Sequence, residues 1–141
     1  MQIRLAETAG FCFGVERAVA LAEQTARTCK NAVTLGPIIH NRHVVERFER
    51  LGLHEISSAE EAEPGQTVVI RAHGIPVSEQ RMLSARGAAA VDATCPFVKK
   101  IHVIAQKAER DGRSLLIIGT PTHPEVAAIA SYSSDAHVFQ T

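Results

Sequence analysis

Six side chains of this 141-residue sequence stand where chemistry is commonly done. Cys95 lies in Asp92-Ala93-Thr94-Cys95-Pro96, between an apolar run, Ala88 to Val91, and a helical pattern, Phe97 to Arg110. Pro96 suits a first helical position, where its missing N–H removes no hydrogen bond. Cys95 then falls at or near the N-cap, beside free backbone N–H groups and the positive end of the helix dipole. Helix N-termini favour thiolates, and thiolates are what metals and iron–sulfur clusters bind. His123-Pro124-Glu125 repeats the device, a functional group placed just before a proline that opens a helix. Cys12 sits in Gly10-Phe11-Cys12-Phe13-Gly14, and His40 and His73 each follow a short apolar run. An imidazole donates well to phosphate oxygens, and a charge-assisted bond contributes about 1.5–3 kcal/mol. Glu125 has two readings: a carboxylate complementing a helix dipole, or a proton donor beside a bound substrate.

The elements that must position these groups alternate between strand and helix. Gln2 to Ala6, Ala32 to Leu35, Thr67 to Ile70, Ala88 to Val91, Ser114 to Ile118 and Ala136 to Phe139 read as strands. Helices are expected from Val15 to about Cys29, over Val44–Leu51 and Ser78–Ala85, from Phe97 to Arg110, and from Glu125 to about Ser131. Gly52, Gly87 and Gly112 act as stops. Ser57 to Gly65 is polar and reads as a loop with one helical turn. This alternation predicts an α/β fold, a parallel sheet with flanking helices. In such sheets ligands bind beyond the carboxyl ends of the strands. Parallel strands bring those ends to one edge, so Cys12, His40, His73, Cys95, His123 and Glu125 are expected to converge.

Composition narrows the class. Hydrophobic residues make up 45%, ordinary for a globular protein, and no run approaches membrane-spanning length. Fifteen basic residues balance fifteen acidic ones without blocks of one sign, so neither a nucleic-acid nor a membrane partner is expected. The start shows no signal-peptide pattern, and three widely spaced cysteines make no disulfide framework; a reducing cytoplasm is the expected setting. Phosphate-loop, dinucleotide, serine-elbow and H-E-x-x-H patterns are all absent from the sequence.

Plainer readings stand beside these. Cys12 and Cys95, each taken singly, suit a small apolar filler as well as a ligand. Cys29 lies on the apolar face of the first helix, about 20 Å from its start at 1.5 Å per residue, and reads as a core thiol. His54, His102 and His137 have no special context and read as structural or surface groups. His43 reads as the exposed start of a helix.

Five motifs carry a resemblance: Gly10-Phe11-Cys12-Phe13-Gly14-Val15, His40-Asn41-Arg42, Ala72-His73-Gly74, Asp92-Ala93-Thr94-Cys95-Pro96 and His123-Pro124-Glu125-Val126. In this order and spacing they resemble the 4-hydroxy-3-methylbut-2-enyl diphosphate reductases, over all of this chain and about the N-terminal half of a usual member. The resemblance implies a three-lobed iron–sulfur reductase, with residues 1–95 as the first lobe and 96–141 as the truncated beginning of the second. It implies a [4Fe-4S] cluster held by three cysteines, with Cys12 and Cys95 as ligands and the third ligand outside this chain. His40 and His73 would hold the diphosphate, His123 would line the same pocket, and Glu125 would serve proton delivery. Phe11 and Phe13 would help keep water from the cluster.

The implied reaction removes the hydroxyl of an allylic diphosphate as water, with two electrons from ferredoxin or flavodoxin. Its products would be isopentenyl and dimethylallyl diphosphate, the end of non-mevalonate isoprenoid synthesis. Cys29 matches no ligand of the family, so the isolated chain is expected to be an incomplete enzyme. Two alternatives stay open on the residues alone: a non-redox α/β phosphate-binding or regulatory module, and a zinc site built from Cys12, Cys95 and a histidine.

Overall fold

The computed structural model describes residues 2–140, so Met1 and Thr141, the outer ends of the two expected lobes, lie outside it. Ala32–Leu35 is apolar or β-branched at every position, which suits a strand covered on both faces. It forms β1, buried throughout. With β2 (His54–Ile56), β3 (Thr67–Ile70) and β4 (Ala89–Asp92) it builds a sheet ordered β2-β1-β3-β4. All three pairings are parallel, as expected.

Each face of this sheet has its own cover. Ala18 and Ala22 of α1 (Phe13–Thr28) and Val44 and Phe48 of α2 (Arg42–Arg50) pack with Ile39, Leu53 and Val69 on one side. On the other, Val33, Leu35, Val68 and Ile70 meet Ala59 and Ala62 around a 3-10 turn (Ala59–Glu61). Ile75 and Leu83, the latter on α3 (Val77–Ala85), complete that cluster. Residues alternate between the two clusters along β1 and β3, as the two-residue repeat of a strand demands. Each fully buried aliphatic side chain contributes about 1.5–3 kcal/mol, so these two clusters hold the sheet.

The remainder forms a second unit. α4 (Pro96–Arg110) and α5 (Pro124–Ala130) pack on each other, and α5 packs on the parallel pair β5 (Leu115–Ile118) and β6 (Ala136–Phe139). One face of that pair is open: Leu116 is 67% exposed, Ile118 76% and Phe139 56%.

One expectation is corrected, and one strand was not foreseen. Gln2 to Ala6 is no strand; neither sheet takes it up, and Ile3 and Leu5 are exposed. Their alternation marks a capacity to pair, but a strand exists only through a partner. Conversely, His54–Ile56 joins the sheet edge beside β1, although its short, largely exposed sequence gives no periodic signal. The expected helical turn in the Ser57–Gly65 loop is the 3-10 turn, closed by a capping box between Ser58 and Glu61.

Candidate functional site

The strand order reverses between β1 and β3. The chain leaves β1 for α2 on one face and β3 for α3 on the other, a switch point at the carboxyl ends of the two inner strands, where such sheets bind ligands. His40 and His73 stand on the two sides of that switch point, with ring centroids 4.8 Å apart. Parallel pairing continues past the strands: Ala72 N–H donates to the Ile38 carbonyl at 3.1 Å, and Cys95 N–H to the Ala72 carbonyl at 2.9 Å. The segments bearing His40, His73 and Cys95 are thereby held side by side. His123 arrives from the second unit, its ring 5.7 Å from that of His73 and nearly perpendicular to it, at 81°.

His73 is the electrostatic centre of this trio. Burial, then the neighbouring His40, His123 and Arg71, push its pKa down to about 4, so the ring is neutral at pH 7. Its Nδ1 is buried and has no hydrogen-bond partner among the described residues. Arg71 is turned inward as well, its Nε donating to the Gly74 carbonyl at 3.3 Å. Burial lowers the guanidinium pKa, against the pull of Glu79 and Glu55, yet an arginine stays charged. Sequence reasoning passed over Arg71; its place two residues before His73 was the available signal.

His123 is the N-cap of α5, with Pro124 in the first turn, as its sequence predicts. The Glu125 N–H donates to His123 Nδ1 at 3.2 Å. When neutral, the ring must therefore carry its proton on Nε2. The backbone of Glu125 makes this contact, and the residue, in the first turn of α5, is half-buried.

Cys95 is the N-cap of α4 with Pro96 behind it, and Cys12 is the N-cap of α1. Neither thiol is used as a cap, and all three cysteines are free. The start of α1 lies against Cys95: a Cβ on Gly14 would overlap its Sγ, so only glycine fits there. Arg17, one turn along, donates to the Thr94 carbonyl at 3.2 Å and fastens α1 to the loop after β4. Asp92 shapes that loop. Its Oδ1 accepts from Thr94 N–H at 2.9 Å and its Oδ2 pairs with Lys99 at 2.6 Å. Burial works to raise the Asp92 pKa, but Lys99 and Thr94 outweigh it and hold the carboxyl below its usual value.

Other residues lie away from this edge. Cys29 caps the far end of the 16-residue α1, about 26 Å from Cys12 at 1.5 Å per residue, and packs partly buried against the core. Among the described residues, no three His, Cys, Asp or Glu side chains are grouped as a metal site. The zinc alternative therefore finds no preformed triad. His102, read as a group without special context, is 6% exposed and stacks on Tyr132. Its spacing from Val98 and Ala105, the other buried positions of α4, was the signal. A cleft of about 480 Å³ opens beside Tyr132, between Gln80, Arg81 and Gln106, and none of the six candidate residues lines it.

Comparisons with known proteins bear on the family and the fold. The family model described as LytB protein matches residues 3–141. A 4-hydroxy-3-methylbut-2-enyl diphosphate reductase of Solidesulfovibrio magneticus is 45% identical, over 99% of this chain and 51% of the relative. That of Aquifex aeolicus is 44% identical, over 94% and 46%. A solved (E)-4-hydroxy-3-methyl-but-2-enyl diphosphate reductase, the terminal enzyme of the non-mevalonate pathway, superposes with a TM-score of 0.83 at 41% identity, covering 99% of this chain and 51% of its own. The Plasmodium falciparum reductase superposes at 0.90 with 27% identity, covering 94% and 42%. The chain spans about half the length of the curated relatives it matches. With a family model matched along nearly all of it, this chain belongs to the LytB family.

Proposed function

We propose that this chain forms the first lobe, 1–95, and the beginning of the second, 96–141, of a reductase that removes the hydroxyl of 4-hydroxy-3-methylbut-2-enyl diphosphate. The observation that carries the reading is the meeting of His40, His73 and His123 from the tips of two separate sheets. Imidazoles crowded this closely repel one another once protonated, unless an anion lies among them. His73, neutral when free, takes up a proton as a diphosphate approaches, and Arg71 adds a fixed positive charge behind it. His123, protonated on Nε2, donates from the opposite wall. Glu125 stands at the same strand tip and serves proton delivery to the bound substrate.

Cys12 and Cys95 fit two ligand positions of an iron–sulfur cluster: two free thiols at two helix N-termini, with glycine at 14 leaving Cys95 Sγ clear. When bound, a [4Fe-4S] cluster supplies the electrons for the reductive loss of the hydroxyl, refilled by ferredoxin or flavodoxin. Phe11 and Phe13, both exposed beside Cys12, restrict water there. The chain offers two thiols, and a third cysteine from outside it completes the set. Turnover by the isolated chain is therefore not expected.

A non-redox phosphate-binding module would need the imidazoles alone, so the thiols separate the two readings. The test is iron and acid-labile sulfide after anaerobic purification, with this chain joined to the half of a relative that it does not span. Cys12→Ser and Cys95→Ser should each strip most of the iron and abolish reduction of the allylic diphosphate, while Cys29→Ser retains both. Iron content indifferent to Cys12 and Cys95 would overturn the redox reading.

A further inference from the structure

His73 and His123 belong to different units, so the 5.7 Å between their rings is set by how those units meet. A small group of side chains makes that seam. His102, on α4, lies directly over Gly74, the neighbour of His73. Its Cε1 is 2.7 Å from where a Gly74 Cβ would stand, and the Thr94 methyl is 3.3 Å from the same point. The glycine backbone has φ of +76°, a left-handed conformation that brings it under the ring. On its other side the imidazole stacks on Tyr132 at 4.6 Å and 29°. Tyr132, just past α5, in turn reaches the first unit: Gln80 Nε2 donates to its hydroxyl at 2.6 Å. Beside it, Val77 N–H donates to Ser131 Oγ at 3.0 Å. His102 Nε2 is buried without a partner among the described residues, so shape and ring stacking hold this imidazole rather than a hydrogen bond from that nitrogen.

We infer that His102 and Tyr132 are positioning residues: wedged between Gly74 and Gln80, they lock the second unit against the first and so hold His123 opposite His73. Neither touches the anion. The consequence for binding rests on the reading of the three imidazoles as a diphosphate site; the consequence for geometry does not. A seam that is only generic packing would, when loosened, weaken all contributions to binding alike. A pin of this kind has a selective effect, because His40 and His73 share one sheet while His123 alone depends on the seam.

The test has one arm without ligand and one with inorganic pyrophosphate, both on the 141-residue chain. In NMR spectra, cross-relaxation between the His73 and His123 ring protons should be present in the parent and in Tyr132→Phe, which keeps the stacked ring. It should vanish in His102→Ala while the His40–His73 signal persists. By calorimetry, His123→Ala should weaken pyrophosphate binding about 10-fold in the parent and less than about 2-fold in the His102→Ala background, with His40→Ala costing the same in both. Should His102→Ala unfold, Tyr132→Leu, which removes the aromatic face but keeps apolar bulk, reads the same quantities. A His73–His123 signal that survives in the folded variant, or a His123 contribution unchanged by it, overturns the pin. A parent that ignores pyrophosphate overturns the diphosphate reading, and the ring-proton signal alone then decides the pin.

Discussion

The two units of this chain solve the same problem in different ways. The four-stranded sheet is covered on both faces at its inner strands, β1 and β3, which are buried almost throughout, while its edge strands are largely exposed. The β5–β6 pair alternates between partly buried and exposed residues, leaving Leu116, Ile118 and Phe139 in the open. One unit is stabilised by its own core. The other is held largely by α4 and α5 and by the seam at His102. Both carry residues of the proposed site at the carboxyl ends of parallel strands, so that site would join a wall with its own core to one whose position depends on docking.

The largest test of that contrast is truncation on each side. Phe48→Ala, at 3% exposure in the first core, should cost about 3–5 kcal/mol in urea unfolding. Leu116→Ala, on the open face, should stay within about 0.5 kcal/mol. Equal costs would break the comparison.

Two glycines sharpen it further. Gly52 and Gly74 have nearly equal φ, +78° and +76°, but a Cβ at Gly52 meets nothing within 4 Å whereas one at Gly74 meets His102. Gly52→Ala should cost about 1 kcal/mol for the left-handed backbone, and Gly74→Ala about 1–3 kcal/mol. The difference measures the seam, and it should shrink when His102 is also replaced by alanine.

A smaller effect follows from pH. The folded His73 titrates at about 4, below the usual 6.5 of an unfolded histidine, so the neutral ring favours the folded state. That contribution is complete above pH 6.5 and drains away as pH falls from 6.5 towards 4. Allowing for the partial exposure of the ring, about 1 kcal/mol should be lost between pH 7 and pH 5. His73→Gln should lose correspondingly less over the same range in paired unfolding curves. Smallest of all, Arg42→Ala removes an exposed pair with Glu46 four residues on and should change stability by less than about 0.5 kcal/mol.

How far the sequence could be read followed the local chemistry. Pro96 and Pro124 announce the helices that Cys95 and His123 cap, because proline at a first helical position is a constraint written in one residue. The buried strands β1 and β3 were legible from their β-branched runs. Edges and seams were not. His54–Ile56 owes its pairing to a neighbour rather than to its own pattern, and Ile3 and Leu5 show the pattern without the neighbour. His102 looked unremarkable because a stacked histidine depends on Tyr132 and Gly74, which are 30 and 28 positions away in the sequence. The convergence of His40, His73 and His123 was inferable only through the parallel sheet; their ring spacings, and the unpartnered Nδ1 of His73, come from the fold.

Titration of inorganic pyrophosphate into the histidine-labelled chain, followed by the ring signals of all seven histidines, tests the shared anion site most directly. His40, His73 and His123 should shift together along one saturating curve, with His54 and His137, each paired to a surface carboxylate, unmoved. A response confined to the surface histidines, or separate curves for His73 and His123, would contradict a single site built from both sheets.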